Sequence, residues 1–570
     1  MMGTISDKLM RIINTKEDIR QALISKGYDV PTSMPFKEYA KMISDLPCRV
    51  DSFPDIEGIV ARYSALGLTN EQMAANPVWV DKTGNGHDLQ MKNFLWGGMS
   101  GVGGYGDENY QTFYKFTLDD YVFIASPPGA KHMNFTFRVT GLQPGNKLTL
   151  AFFGTMNTVY GTWNKDGIYT VDADIVEAGK PTYFYNGYGA TRGEFTIEIL
   201  PLYPGALVFD GVDDWAGCDN LPLLPKEKGY SIIALRNWIT RYDATQYKRP
   251  LISNLDTNDE GAFLIEYRKD ENVNDVTGSY NSFTDVYIDD NNPITWQTSS
   301  SYNGQIIKKR TSKSSNKLCI CKTYFGQLSK YANAAIWEIV ILDHDATEEE
   351  LTKIKDYFVK TYPWLFPDQA WTVTGKTNED EDRATITNIT GNGNDLVLSN
   401  FGFAEGSGYN EEGEYAGYLV TDGVDDKVVS AESIAFTDTW TIITDTVFLG
   451  KVSVASGILA SNIFTVYNYQ GSGTIAVAIG EGGSPLRVIT SSIKAFSSDG
   501  TIYDAEWNEY HVEIGTIRAL ERLLKIGTSS NETSYFCQLA FKFLGIYNNQ
   551  ILSKDDCIKA YNYLQTLKAK

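Results

Sequence analysis

Hydrophobic positions in this chain mostly alternate with polar ones or gather in short runs, and Gly, Asn, Asp and Pro close the runs. Leu207-Val208-Phe209-Asp210-Gly211-Val212-Asp213-Asp214 is one such run, and it predicts strand, tight turn, strand. Alternation over 135–139, 147–153 and 194–199 predicts further strands, with turns at 141–146 and 178–181. A helical period occurs in few places. Over 4–46, Leu9, Ile12 and Ile13 share one face. Thr15 caps a second helix carrying Ile19, Leu23 and Ile24 and ended by Gly27, and Phe36, Tyr39, Met42 and Ile43 line a third. A short helix is expected near 70–75. Thr347-Glu348-Glu349-Glu350 and Ser553-Lys554-Asp555-Asp556 are hydroxyl-x-x-acid starts that head helices over 347–361 and 553–567. The pattern as a whole is mainly β.

The chain repeats itself. Leu207–Asp214 returns as Leu419-Val420-Thr421-Asp422-Gly423-Val424-Asp425-Asp426, and Gly84-Asn85-Gly86-His87-Asp88-Leu89 returns as Gly391-Asn392-Gly393-Asn394-Asp395-Leu396. Asn93-Phe94 matches Asn400-Phe401, and Tyr230-Ser231-Ile232-Ile233 matches Trp440-Thr441-Ile442-Ile443. The landmarks keep one order, as a module used twice would. The offset is 307 residues at the Gly-Asn-Gly turn but 212 at the Asp-Gly turn, so the first copy carries about 95 extra residues between them. That is the arithmetic of an insertion into a surface turn. The expected organisation is a helical segment over 1–50, a first module over 51–365 with a small inserted β-sandwich at 107–203, and a second module over 366–570. Pro363-Trp364-Leu365-Phe366-Pro367 reads as a short, stiff linker.

The ordered set of Gly-Asn-Gly-x-Asp-Leu, (Phe/Thr)-Asp-Gly-Val-Asp-Asp and a last strand entering an acid-headed helix resembles the laminin-G-like, concanavalin-type jelly-roll lectin domains of phage and Bacteroidetes surface proteins. The resemblance covers about 55–106 with 204–365, and then 366–570. It implies two jelly-roll sandwiches, each of two packed antiparallel sheets. Members of that family bind glycans or proteins, or serve as plain structural modules. The N-terminal pattern Lys-Leu-x-x-Ile-x-x-Thr-Lys-x-x-Ile-Arg-x-Ala-Leu-x-x-Lys-Gly is similar to N-terminal segments of gut-phage structural proteins. This implies an attachment or oligomerisation role for 1–50, in a phage of the crAss-like Bacteroides kind.

Composition narrows the partners. The 570 residues are 42% hydrophobic and 13% aromatic, and the net charge is −21. That charge repels nucleic acid and an anionic membrane surface, and no basic stripe offsets it. No apolar run is long enough to span a bilayer, and the first residues lack the apolar core of a secretion signal. Together with the resemblance to phage surface modules, this implies a virion surface as the expected location, with synthesis in the host cytoplasm. Cys48, Cys218, Cys319, Cys321, Cys537 and Cys557 show no framework spacing and read as reduced thiols. His87, His132, His344 and His511 have no ligand spacing.

Candidate chemistry is sparse. Jelly rolls of this type include glycosidases, whose two acids lie along one strand, but the Glu-x-Asp-x-Glu arrangement is missing. Glu338 reads as a solvent-facing strand residue. Asp210, Asp213 and Asp214, with Asp422, Asp425 and Asp426, could ligate calcium, but Asp-Gly and Asp-Asp also build turns, and the turn reading is preferred. Tyr105, Trp163, Tyr185, Tyr188, Tyr302, Tyr409 and Tyr469 lie in Gly- or Ser-rich loops and single out no glycan site. The chain is read as a phage head-fibre, decoration or tail-fibre component and not an enzyme, with no cofactor and no assigned metal or catalytic residue. Its expected partners are other virion proteins, further copies of itself and host surface polysaccharide, which it binds weakly and multivalently. The alternatives are a glycan-degrading enzyme of jelly-roll fold and a virion component with no ligand.

Overall fold

The computed structural model of the chain describes residues 53–569 apart from several stretches, the longest of them 106–114, 240–247 and 269–283. It contains two compact units, Met1–Asp55 and Ile56–Lys570. Of the first only Lys16, Arg20 and 53–55 are described, so the helices expected over 4–46 and the attachment role of 1–50 lie outside the described residues. The second unit is mainly β and antiparallel.

An eight-stranded sheet forms around Asn333–Leu342. Ser231–Trp238 pairs along one side of that strand, and Ile59–Ser64 and Leu207–Asp210 lie end to end along the other. A seven-stranded sheet holding Leu89–Lys92, Trp215–Cys218 and Leu318–Ile320 closes over it, so that Leu207, Ile232 and Ile336 meet Leu89, Ala216 and Ile320 in one core. The last part of the chain repeats this arrangement. Leu539–Asn548 is flanked by Trp440–Phe448 on one side and by Gln369–Thr372 and Leu419–Val420 on the other. A second eight-stranded sheet, with Leu396–Ser399, Lys427–Ser430 and Lys525–Ile526, covers its core. Between Gly101–Val102 and Leu207–Asp210, two four-stranded sheets enclose Phe135, Phe137, Leu148, Phe184 and Ile197.

The central strands depart from simple alternation. Leu235 pairs with Glu338 but Arg236 pairs with Ile336, so Trp337 is an extra, bulged residue. Ala334 and Ile336 lie in the core on one side of the bulge, and Ile339 and Ile341 on the other. Trp337 and Glu338 are therefore both sent away from that core. In the second copy Asp445 pairs with Phe543 and Thr446 with Phe541, which leaves Lys542 as the extra residue. The same bulge recurs at the same place.

Among the described residues three helices accompany the sheets: α1 (Asn70–Ala75), α2 (Glu348–Thr361) and α3 (Lys554–Thr566). Thr347 and Glu350 form the full reciprocal cap of α2, and the Ser553 side chain accepts from the Asp556 amide at the head of α3. In α3, Cys557, Ile558, Ala560, Tyr561, Asn562, Tyr563 and Leu564 are all buried, so the helix is covered on nearly every side. On its own module, the Phe543 and Tyr561 rings lie 5.0 Å apart. The helix lies close to the strand at Gly545, where a Cβ would stand 2.8 Å from Leu564 Cδ1. Against the first module, Tyr563 meets the bulged Trp337 ring edge-on at 6.4 Å, and Asn562 Nδ2 donates to Pro201 O at 3.2 Å. The ion pairs Arg138–Asp555 and Lys165–Glu506 connect the small sandwich to the same region, but they are exposed and contribute little. The five described cysteines are free and buried, in line with the expected reduced thiols.

Removing the Tyr563 ring leaves a cavity under Trp337. Tyr563→Ala should cost about 3 kcal/mol in chemical denaturation and raise amide exchange over 201–203 and 363–372. Unchanged stability and exchange would contradict this role.

Candidate functional site

The duplicated acidic turns are the first place to look for chemistry. Asp210 Oδ1 accepts from the amides of Val212 (2.8 Å), Asp213 (3.3 Å) and Asp214 (3.3 Å), and Asp214 Oδ2 accepts from the Asp210 amide at 3.1 Å. Asp422 and Asp426 repeat every one of these bonds, at 2.7, 3.3, 3.4 and 2.8 Å. Gly211 and Gly423 hold φ of 77° and 76°, and the backbone nitrogens of Asn333 and Gln538 stand 2.9 Å from where their Cβ atoms would be, so only glycine fits. Asn93 and Asn400 tie the turn down by donating to Asp213 O and Asp425 O, both at 2.9 Å. The three acids of each turn lie within 4.8 Å of one another, as the calcium expectation supposed. The backbone amides already engage two of the three, and turn geometry accounts for the motif. Burial and the neighbouring Asp210 push the Asp214 carboxyl from 3.8 up to about 7. Burial likewise raises Asp426 to about 6, against the opposing bonds from the Asp422 backbone and Ser407.

Glu338 is not solvent-facing, and that expectation is corrected. The bulge and the overlying α2 leave it 0% exposed. Arg62 Nη2 lies 3.3 Å from Glu338 Oε2, and the Tyr362 and Tyr357 hydroxyls donate to Oε1 at 2.8 and 3.3 Å. The second copy places Phe543 opposite Glu338 and moves the carboxylate one strand over. There Lys494 Nζ lies 3.0 Å from Asp445 Oδ1, Tyr418 donates to Oδ2 at 2.9 Å, and Tyr561 of α3 contacts Lys494. Each centre is closed off from solvent and pairs its charges internally, so each serves to dock a helix.

The space open to a ligand is elsewhere. A groove of about 830 Å³ runs between α2, the turn Pro363–Leu365 and the beginning of the second module. Trp296, Leu351, Val359 and Phe366 are among its apolar lining, and the neutral amides Asn392, Asn549 and Gln550 line it together with the charged Lys355, Asp356, Lys360 and Asp368. Trp296 and Phe366 are half-buried, and Asn392 and Asn549 are exposed. Two of these residues are tied to backbone carbonyls: Asn392 Nδ2 donates to Asp368 O at 2.8 Å, and the Asn549 backbone amide donates to Thr439 O at 2.8 Å. Half-exposed rings beside neutral amides suit a ligand that is apolar on its faces and hydroxylated at its edges. Sequence reading missed this groove because its walls come from six separated stretches. Asn392 was visible only as part of a turn.

Of the aromatics expected in loops, Trp163, Tyr185, Tyr302 and Tyr409 lie on strands, and the described side chains of Tyr105, Trp163 and Tyr409 do not line the groove. Tyr409 is buried and donates to Arg383 O at 2.7 Å. Trp163 packs edge-on against Phe137 at 4.9 Å. Burial, followed by the charges of Glu198 and Glu71, pushes the half-buried Tyr105 phenol up to about 12. Tyr188, Tyr469 and the side chains of Tyr185 and Tyr302 lie outside the described residues.

No family model matches the chain, and no curated protein matches it. Among solved structures it is similar to Trypanosoma rangeli sialidase in complex with sialic acid, at 9% identity and TM-score 0.24, over 41% of each chain. It is also similar to Trypanosoma rangeli sialidase at 9% identity and TM-score 0.25, over 70% of this chain and 68% of that one. A structure titled for botulinum neurotoxin type C cell entry through two ganglioside molecules matches at 9% identity and TM-score 0.23, over 85% and 98%. The chain spans 41% of the length of the first sialidase structures it matches. One expectation is overturned: the chain is no longer read as not an enzyme, because sialidases are enzymes. At these identities and TM-scores the matches assign it no activity.

Two outcomes follow from the buried charges. Glu338→Ala strands Arg62 and should lower stability by about 3–5 kcal/mol, and Glu338→Met with Arg62→Met should recover most of it. Urea unfolding measures both. Asp214 and Asp426 bind protons more tightly folded than unfolded, so their contribution to stability is present at acid pH and lost as pH rises from about 4 to about 7. Asp214→Asn combined with Asp426→Asn should flatten that slope in melting curves taken across the same range.

Proposed function

We propose that the chain is a glycan-binding surface protein of a phage particle, with the groove beside α2 as its principal ligand site. The observation that carries the reading is the groove itself, about 830 Å³, with Trp296, Phe366, Asn392, Asn549 and Gln550 in its lining. A sugar ring stacks its C–H face on an aromatic side chain, and its hydroxyls exchange hydrogen bonds with neutral amides. The volume suits a short stretch of polysaccharide. The particle setting rests on the resemblance of residues 1–50 and of the repeated modules to phage surface proteins. Display of many copies on one particle turns weak single contacts into avidity.

The test is titration of host capsular oligosaccharides into the full chain, alongside Trp296→Ala and Asn549→Ala. Each variant should weaken binding about tenfold or more, which is ~1.4 kcal/mol. Binding that ignores both substitutions, or no binding to any host oligosaccharide, would overturn the site. The setting is checked by locating the chain in purified particles with a specific antibody.

A further inference from the structure

The outer face of the seven-stranded sheet carries a second cluster, well separated in composition from the groove. On Trp215–Cys218, Ala216 and Cys218 enter the core, so Trp215 and Gly217 belong to the other face. The half-buried Trp215 ring meets Phe325 edge-on at 5.7 Å. Gly217 makes room for both rings: a Cβ there would lie 2.8 Å from Trp215 and 3.2 Å from Phe325. Lys322 Nζ stands 4.0 Å from the Trp215 ring centre, and Lys317 Nζ 5.1 Å from that of Phe325.

Lys322 is the unusual member. It is 7% exposed, and its ammonium donates to Phe325 O at 3.4 Å. The buried Lys376 and Lys494 each hold a carboxylate, at 2.6 and 3.0 Å. Among the described residues Lys322 has none, and burial pushes its ammonium below the usual range. A shielded cation is costly without a counter-charge.

The repeat supplies an internal control. Aligning Asp214 with Asp426 and the pair Ala216–Ile320 with Val428–Ile526 sets Trp215 against Lys427, Gly217 against Val429 and Lys322 against Thr528. The second copy builds the same strands without the aromatic ring, the gap or a lysine at the Lys322 position, so the fold does not demand them.

We propose that this patch is a subsite for a carboxylated sugar, whose ring lies against Trp215 and Phe325 and whose carboxylate is drawn by Lys322 and Lys317. The inference takes its ligand class from the glycan-binding reading, but it uses a different surface from the groove, so the two can fail separately.

The experiment compares a glucuronate-containing disaccharide with its neutral glucose counterpart by calorimetry and saturation-transfer NMR on the full chain. The acidic sugar should bind about tenfold tighter, and high salt should erode the difference. Lys322→Met, which keeps the aliphatic stem, should abolish the preference, and Lys322→Arg should retain it. Trp215→Ala should remove binding of the acidic sugar, while Trp296→Ala in the groove should leave it intact. Melting curves establish that each variant is folded. Equal affinities, no saturation transfer, or a preference that survives Lys322→Met would overturn the subsite. So would loss of acidic-sugar binding in Trp296→Ala but not in Trp215→Ala.

Discussion

The one-residue bulge in each central strand is the constraint on which the rest of this structure depends. An extra residue at Trp337 or Lys542 switches which side chains face the core and sends a large or charged group to the outer side. That side must then be covered, and each module covers it with its closing helix over a buried ion pair. The first uses Arg62, Glu338, Tyr357 and Tyr362, and the second uses Lys494, Asp445, Tyr418 and Tyr561. A buried pair of this kind adds little net stability over an apolar one, but losing a single partner is expensive. The helix is therefore held in the one register that brings its tyrosine hydroxyls over the charges.

The same bulge joins the modules. Trp337 projects to Tyr563 on α3, and Asn562 reaches Pro201 where the inserted strands rejoin the first module. A helix covered on so many sides sets the geometry of the groove beside it, because Tyr563 and Leu567 form part of the same wall as α2 and Pro363–Leu365. A ligand entering there meets preformed edges, and little ordering is left to oppose binding.

Local signals were legible in the sequence where chemistry is local. The Asp-Gly turns, the two capped helices and the alternating strands depend on near neighbours, and the twofold use of the turn motif appears as the same hydrogen bonds at nearly the same lengths. Glu338 was misread because alternation assigns a strand residue to one of two faces but cannot register a bulge or a helix laid over the outer face. The partner, Arg62, is 276 residues away. The groove was invisible for the same reason: Trp296, Phe366, Asn392 and Asn549 come together only through the tertiary fold.

The most direct test of the central claim is hydrogen exchange of the full chain with and without a host capsular oligosaccharide at saturating concentration. The account predicts added protection at 293–296, 389–392 and 548–550, the backbone beneath the groove. Unchanged exchange there, with protection arising only on other surfaces, would contradict it.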